Sequence, residues 1–310
     1  MDFARFGLAR RPFRLTPDTA AYCPTATHEA AASALDRALR GGAGAVVLDG
    51  EPGTGKTLVA LRFLGTLSEH VRPVMVSVPK GVTPTAFFQA VLFDLGRPYQ
   101  GLSEPELRLA VTGELLNAAE AEQRVVVFAD EAHNLTADVV DELRQLGNVE
   151  AADGPALFLL LSGWPALRTV TASNPSFTQR IAGLCRLTPL SPEEAAKHLR
   201  HQIRECGGRP EWVFADEALS LLAELGGGIP RVLNRVAGLA LELASADGAD
   251  AVDVEAVLAA AELLDLAPPA AAEEAIEDQS QVHDEPDVLP HPNQVPRPTT
   301  KRPASKRKSA

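Results

Sequence analysis

Residues 50–57 read Gly50-Glu51-Pro52-Gly53-Thr54-Gly55-Lys56-Thr57, a GxxxxGK[ST] stretch between the apolar run Ala45-Val46-Val47-Leu48 and a helical pattern from Thr57 to Glu69. A strand, a glycine-rich turn and a helix in that order form an anion site. Glycines leave backbone N–H groups clear of Cβ obstruction, and the helix start adds orphan N–H groups and a positive dipole end. On this reading Gly50, Gly53, Thr54 and Gly55 shape the loop. Lys56 places a point charge on the β- and γ-phosphates, and the Thr57 hydroxyl coordinates Mg2+. ATP with Mg2+ is the expected ligand.

A second motif supports the first. Val125-Val126-Val127-Phe128-Ala129-Asp130-Glu131 is an apolar strand ending in two carboxylates. Taken alone, the pair could open a solvated turn. Downstream of a phosphate loop it reads differently. Such a strand is expected beside the loop-bearing one, with Asp130 holding Mg2+ and Glu131 polarising an attacking water as general base. Asp130-Glu131-Ala132-His133 also spells the DEAH box of some helicases. Those enzymes need a second RecA-like domain, for which the chain has no room, so His133 is read as a polar residue of the following turn.

Outward from these motifs the pattern alternates. Val74 to Val78 and Ala156 to Leu161 read as further strands. Helices are expected from Thr83-Pro84 to about Leu95, from the capping box Ser103-Glu104-Pro105-Glu106 to about Glu122, and from Thr136 to near Gly147. Strands this apolar on both faces belong inside a parallel sheet covered by helices. After Leu190 the strand pattern stops. Four helices follow: one capped by Ser191-Pro192-Glu193-Glu194, then 215–225, 229–246 and 253–264. The expected fold class is α/β: a P-loop core with a parallel sheet over 41–188, then a small helical lid over 189–266. From Pro268 onward the chain carries eight of its 24 prolines, an acidic stretch and then a basic end (Lys301, Arg302, Lys306, Arg307, Lys308). A disordered tail is expected over 267–310.

Composition narrows the function classes. The chain has 310 residues, 45% of them hydrophobic, which suits two domains and excludes a wholly disordered polypeptide. Lys plus Arg total 29 against 41 Asp plus Glu, a net charge of −12, so wholesale coating of nucleic acid is disfavoured. Cys23, Cys185 and Cys206 form no CxxC or His-Cys cluster, so they read as packing residues in a reducing compartment. No uncharged apolar run reaches the ~18 residues of a transmembrane helix, and the first residues show no signal segment. A cytoplasmic location is expected.

The motifs together resemble the AAA+ ATPases, and more narrowly the secretion-pathway ATPases of the GspA/ExeA type with their TnsC/MuB-like relatives among transposition regulators. The resemblance runs from residue 3 to about 264. It is carried by Phe6-Gly7-Leu8, Pro12-Phe13, Leu15-Thr16-Pro17-Asp18, His28-Glu29-Ala30, the two motifs above, Gln179-Arg180-Ile181, Pro189-Leu190-Ser191 and Gly228-Ile229-Pro230-Arg231-Val232-Leu233-Asn234. It implies that Arg180 is an arginine finger reaching the nucleotide of a neighbouring subunit. It implies likewise that Arg231 is a lid arginine facing the γ-phosphate, and that the N-terminal segment 1–40, around Pro17 to His28, packs on the nucleotide site. The chain departs from the resemblance at Ser162-Gly163-Trp164-Pro165. Trp164 stands where relatives usually carry glutamine, which leaves Ser162 as the candidate water sensor. The longer secretion proteins continue into a membrane span and a cell-wall-binding domain, and neither is read in this sequence.

The function implied first is an oligomeric ATPase, ring or filament, switching a client protein of secretion or envelope assembly. Two alternatives stand beside it. One is an ATP-dependent DNA-binding regulator of the transposition type. The other is a nucleotide-gated scaffold with little turnover.

Overall fold

The computed structural model describes residues 3–151 and 154–266; the tail expected over 267–310 lies outside the described residues. The strands are β1 (Ala45–Gly50), β2 (Val71–Ser77), β3 (Arg124–Asp130), β4 (Glu150–Ala151), β5 (Gly154–Pro155), β6 (Leu157–Gly163) and β7 (Ile181–Leu187). Five of them form one parallel sheet in the order β2-β3-β6-β1-β7, and β4 pairs antiparallel with β5. The helices interleaved with them are α1 (Ala26–Arg40), α2 (Lys56–Leu64), α3 (Pro84–Asp94), α4 (Glu104–Glu120), α5 (Ala137–Leu146), α6 (Leu167–Ala172) and α7 (Pro175–Thr178). Then come α8 (Pro192–Glu205), α9 (Pro210–Val213), α10 (Asp216–Leu225), α11 (Pro230–Ala246) and α12 (Val254–Leu263).

Period-two alternation explains why the sheet is covered on both faces. Val47, Val125, Val127, Leu157, Leu159 and Leu161 point to one side, against Phe87, Phe88 and Leu92 of α3, Leu107, Val111 and Leu115 of α4 and Val139 and Leu143 of α5. Val46, Leu48, Val126, Phe128, Phe158 and Leu160 point to the other, against Leu35 of α1 and Val59, Ala60 and Phe63 of α2. The α4 and α8 capping boxes form as the sequence indicates, Ser103 with Glu106 and Ser191 with Glu194.

Two sequence expectations need correction, and two elements lie outside them. The acidic strand β3 does not lie beside the loop-bearing β1, because β6 sits between them. The helix after the loop ends at Leu64, not Glu69, where Gly65 takes the C-cap and its N–H bonds back to Leu61 O. A fifth parallel strand, β7, went unread because it is the sheet edge beyond β1. There Ala182, Leu184 and Arg186 face out, so the apolar run is diluted. Helix α1, with Thr25 as N-cap, was not read either; its alanine-rich stretch buries only His28, Ala31 and Leu35.

The helices after the sheet have their own core, with Leu199, Ile203, Leu219, Leu222, Leu233, Val236, Leu241 and Val257. Phe6, Leu8 and Phe13 of the N-terminal segment complete it, Phe13 meeting Phe214 edge-on with ring centroids 5.9 Å apart. Each such ring or leucine contributes about 1.5–3 kcal/mol by burial. The chain therefore begins anchored on its last helices and crosses to the sheet at α1. All three cysteines are buried and unpaired. Among the described residues no helix is long and apolar enough to cross a membrane.

Candidate functional site

The glycine loop leaves the carboxyl end of β1 and enters α2 at Lys56. Gly53 (φ +86°) and Gly55 (φ +97°) adopt left-handed backbone, and both are hemmed in from outside. A Cβ on Gly53 would lie 2.8 Å from Cβ of Arg231; one on Gly55 would lie 3.0 Å from Nε2 of His28. Only glycine suits either place. Lys56 folds back over the loop, its Nζ donating to the carbonyls of Gly50 and Glu51, each at 2.9 Å. Burial pushes the Lys56 pKa down, while Glu131 and Asp130 pull it up and Arg231 lowers it further. Thr54 Oγ1 donates to Glu51 O at 2.8 Å and braces the turn.

The acidic strand end reaches this loop although β6 intervenes. Helix α2 lies over β6, with Phe63 and Phe158 rings 6.4 Å apart, and so carries its first turn toward β3. There Thr57 Oγ1 donates to Asp130 Oδ2 at 2.7 Å, and the second Asp130 oxygen accepts from the Glu131 N–H at 3.0 Å. A hydroxyl and a carboxylate oxygen this close are hard donors of the kind Mg2+ takes together with phosphate oxygens, so the residues present fit that ion. Glu131 itself has φ +54°, a left-handed conformation costing a non-glycine residue of order 1–2 kcal/mol. That turn lifts its half-exposed carboxylate off the sheet and into the cleft. His133 Nδ1 lies 3.4 Å from Glu131 Oε2, and its ring stacks on Trp164 at 4.7 Å with an interplanar angle of 11°. His133 does belong to a turn, Ala132–Asn134, but it is packed rather than solvated.

The helices after the sheet close the cleft. Arg231, in the first turn of α11, donates its backbone N–H to Gly53 O at 3.3 Å, and its side chain lines the same cleft as Lys56, Thr57 and Glu131. The segment 14–18 also lines the cleft. It is held by a buried relay: His198 Nε2–H donates to Asn234 Oδ1 at 2.8 Å, and Asn234 Nδ2 donates to Arg14 O at 3.0 Å. From α8, Gln202 donates to Ala21 O, Lys197 to Pro24 O, and Glu194 accepts from the Ala26 N–H.

Two sequence candidates lie elsewhere. Arg180 precedes β7 at the amino end of the sheet, where its carbonyl accepts from the Ala45 N–H at 3.1 Å. It is a full six-residue strand away from Gly50, about 17 Å, and its guanidinium donates to Gly147 O at 2.7 Å and to Asn148 Oδ1. It does not reach this chain's cleft. Ser162 is fully buried within β6 opposite Leu48, its Oγ without a partner among the described residues. Trp164, two residues on, is the one that lines the cleft.

Sequence reasoning passed over Asp49, one residue before the loop. It is fully buried and paired bidentately with Arg168, at 2.7 and 2.8 Å, and with Arg186 at 3.4 Å. A carboxylate closing an otherwise apolar strand was the available signal, since such a group must find cations.

Comparison with known proteins agrees with this geometry. Residues 39–171 match the family model described as an AAA domain. The chain is 31% identical over 248 residues to general secretion pathway protein A of Aeromonas hydrophila, covering 78% of this chain and 45% of that longer protein. Two solved structures share the fold. One is the Aeropyrum pernix ORC1 protein in complex with DNA, with TM-score 0.63, 22% identity and coverage of 81% of this chain and 68% of that one. The other is the Aeropyrum pernix ORC2 protein in its ADPNP-ADP complexes, with TM-score 0.62, 20% identity and coverage of 80% and 69%. A parallel sheet with a glycine loop at its carboxyl end, helices after it closing the cleft, and these matches lead to one assignment: the chain belongs to the AAA+ P-loop proteins of the general secretion pathway protein A type.

Proposed function

We propose that this protein binds ATP with Mg2+ in the cleft, hydrolyses it to ADP and phosphate, and uses the cycle to switch its own assembly and a client protein. The observation that carries this is convergence: Lys56 and Thr57 from α2, Asp130 from the end of β3, Glu131 from the turn after it and Arg231 from α11 gather around one glycine loop. Lys56 would exchange its loop carbonyls for the β- and γ-phosphates. Thr57 and Asp130 would hold Mg2+, which when bound neutralises charge on those phosphates. Glu131 would orient a water in line with the γ-phosphorus and accept its proton as the new P–O bond forms and the bond to ADP breaks. Arg231 would add positive charge from the α11 side.

Among the described residues the arginines and lysine that line the cleft are Arg14, Lys56 and Arg231, and Arg180 is not one of them. Arg180 stands at the other end of the strands, so it could serve only a neighbouring copy's nucleotide. That supports a head-to-tail assembly, closing into a ring or propagating as a filament. The match to a secretion-pathway protein supports a client in secretion or envelope machinery, acted on from the cytoplasm.

Calorimetry with Mg·ATP tests the core of this reading. Binding is expected for the parent protein, with a loss of at least about a hundredfold in Lys56→Ala. Glu131→Gln should keep the binding and slow phosphate release by about 10²–10⁴. A well-folded parent that gives no heat of association would refute the whole assignment. Unchanged turnover in Glu131→Gln would remove the general-base role and favour another group for the water.

A further inference from the structure

His28 is not explained by the chemistry above. It is buried in the first turn of α1, yet its side chain leaves that helix and touches the phosphate loop. Its Nε2 lies 2.8 Å from the carbonyl oxygen of Thr54. A carbonyl only accepts, so Nε2 carries the proton and donates. Nδ1 is then the bare nitrogen; it is buried and has no partner among the described residues. The ring is fixed on its other sides. Tyr22 packs against it at 6.1 Å, the Thr25 hydroxyl caps the His28 backbone N–H, and α8 holds the chain on either side of Thr25 through Lys197 to Pro24 O and Glu194 to the Ala26 N–H.

The consequence lies in the geometry of one peptide unit. The Thr54 carbonyl and the Gly55 N–H belong to the same planar, trans amide, so they point in opposite directions. Gly55, with φ +97° and no side chain, would let that plane swing. A hydrogen bond that pins the carbonyl outward on His28 turns the N–H inward, toward the cleft lined by Gly53, Gly55 and Lys56. We infer that His28 is a positioning residue for phosphate binding, which orients the Gly55 N–H toward the nucleotide phosphates by holding the Thr54 carbonyl from behind. Because the same segment is clamped by α8, the orientation of that donor follows the docking of the helices after the sheet.

The inference rests on the nucleotide reading of the loop, and its test separates the two. ADP and ATP affinities are measured by calorimetry on the full chain for the parent, His28→Leu and His28→Gln, at a temperature where melting curves show all three folded. Leucine removes the donor; glutamine keeps an N–H donor at the reach of Nε2. The expected result is about tenfold weaker binding of both nucleotides by His28→Leu, with most of it recovered in His28→Gln. If the parent binds neither nucleotide, the loop reading fails. If the parent binds and His28→Leu matches it within about twofold, the positioning role fails while the loop reading stands. Equal weakening in both variants assigns His28 to packing and overturns the donor argument. A second measurement needs no variant: imidazole ¹⁵N spectra of the parent near neutral pH. The Nε2–H tautomer is expected for His28, and a proton on Nδ1 instead would overturn the inference even if a variant fails to fold.

Discussion

The two ends of the parallel sheet treat their charged groups in opposite ways. At the carboxyl end, Thr57, Glu131 and Arg231 line a cleft with Asp130 bonded to Thr57 beside it, and Lys56 rests on loop carbonyls that phosphates could replace. At the amino end the arginines are spent on the protein itself. Arg124 donates both terminal nitrogens to the carbonyls of Leu39 and Ala43, its buried Nε alone having no partner among the described residues, and Arg180 donates to Gly147 and Asn148. A site that binds a ligand keeps its polar groups only partly satisfied, whereas a site that holds a fold together satisfies them. By that standard Arg180 looks structural within one chain, and any role in turnover needs a second copy. The largest effect expected follows from this contrast. Arg180→Ala should lower ATP hydrolysis by about 10³–10⁵ while ATP affinity of dilute, unassembled protein stays unchanged. Rate against protein concentration is the measurement. Loss of affinity in dilute protein, or a rate indifferent to concentration in the parent, would return Arg180 to a purely structural role.

Asp49 tests the boundary between those regimes, because it is fully satisfied yet sits at the carboxyl end. Its carboxylate is fully buried, while Arg168 and Arg186 are part-exposed. Removing a buried partner leaves arginines that can still turn to water, so the cost should fall below the 3–5 kcal/mol of a fully buried pair. Asp49→Ala is expected to destabilise the fold by about 2–3 kcal/mol, read as a shift in denaturation midpoint with unchanged slope. If nucleotide affinity falls further than stability explains, Asp49 also shapes the loop that begins at Gly50.

How much was legible follows from the kind of signal each feature leaves. The glycine loop, the strand ends and the capping boxes depend on residues close in sequence, so spacing alone exposes them. Thr57 and Asp130 are each read from the sequence as Mg2+ ligands on a strand order that the structure corrects, and their direct hydrogen bond is not part of that reading. What brings them together is α2 crossing β6, which no local pattern records. Strand β7 was hidden because an edge strand needs only one apolar face. His28, Asn234 and Asp49 escaped for another reason. Each acts through one hydrogen bond or ion pair to a distant segment, and a single polar residue in a helix or strand gives no period to detect. His28 did appear among the residues carrying the family resemblance, but the resemblance could not say that its ring touches Thr54.

The smallest expected effect is a pH dependence confined to the carboxyl-end half of the contrast. His28 and His198 both have pKa values pushed below the usual 6.5, in each case first by burial. The groups opposing this are the Thr54 carbonyl, Glu194 and Glu29 for His28, and Asn234 for His198; His201 and His28 push His198 down further. Because the folded pKa lies below the unfolded one, the unfolded chain binds more protons as pH drops through 6.5. Stability is therefore full above that value and declines below it, by at most about 1.4 kcal/mol per pH unit for each histidine. The carboxylates of Glu106 and Glu193, held below their usual 4.5 chiefly by serine hydrogen bonds, begin to contribute only at lower pH, so the window between belongs to the histidines. Urea midpoints across that window should fall with acidity in the parent and less steeply in His28→Gln. The same slope in both would leave His198, tied through Asn234 to Arg14, as the titrating group, and would move the acid sensitivity from the phosphate loop to the helices that close over it.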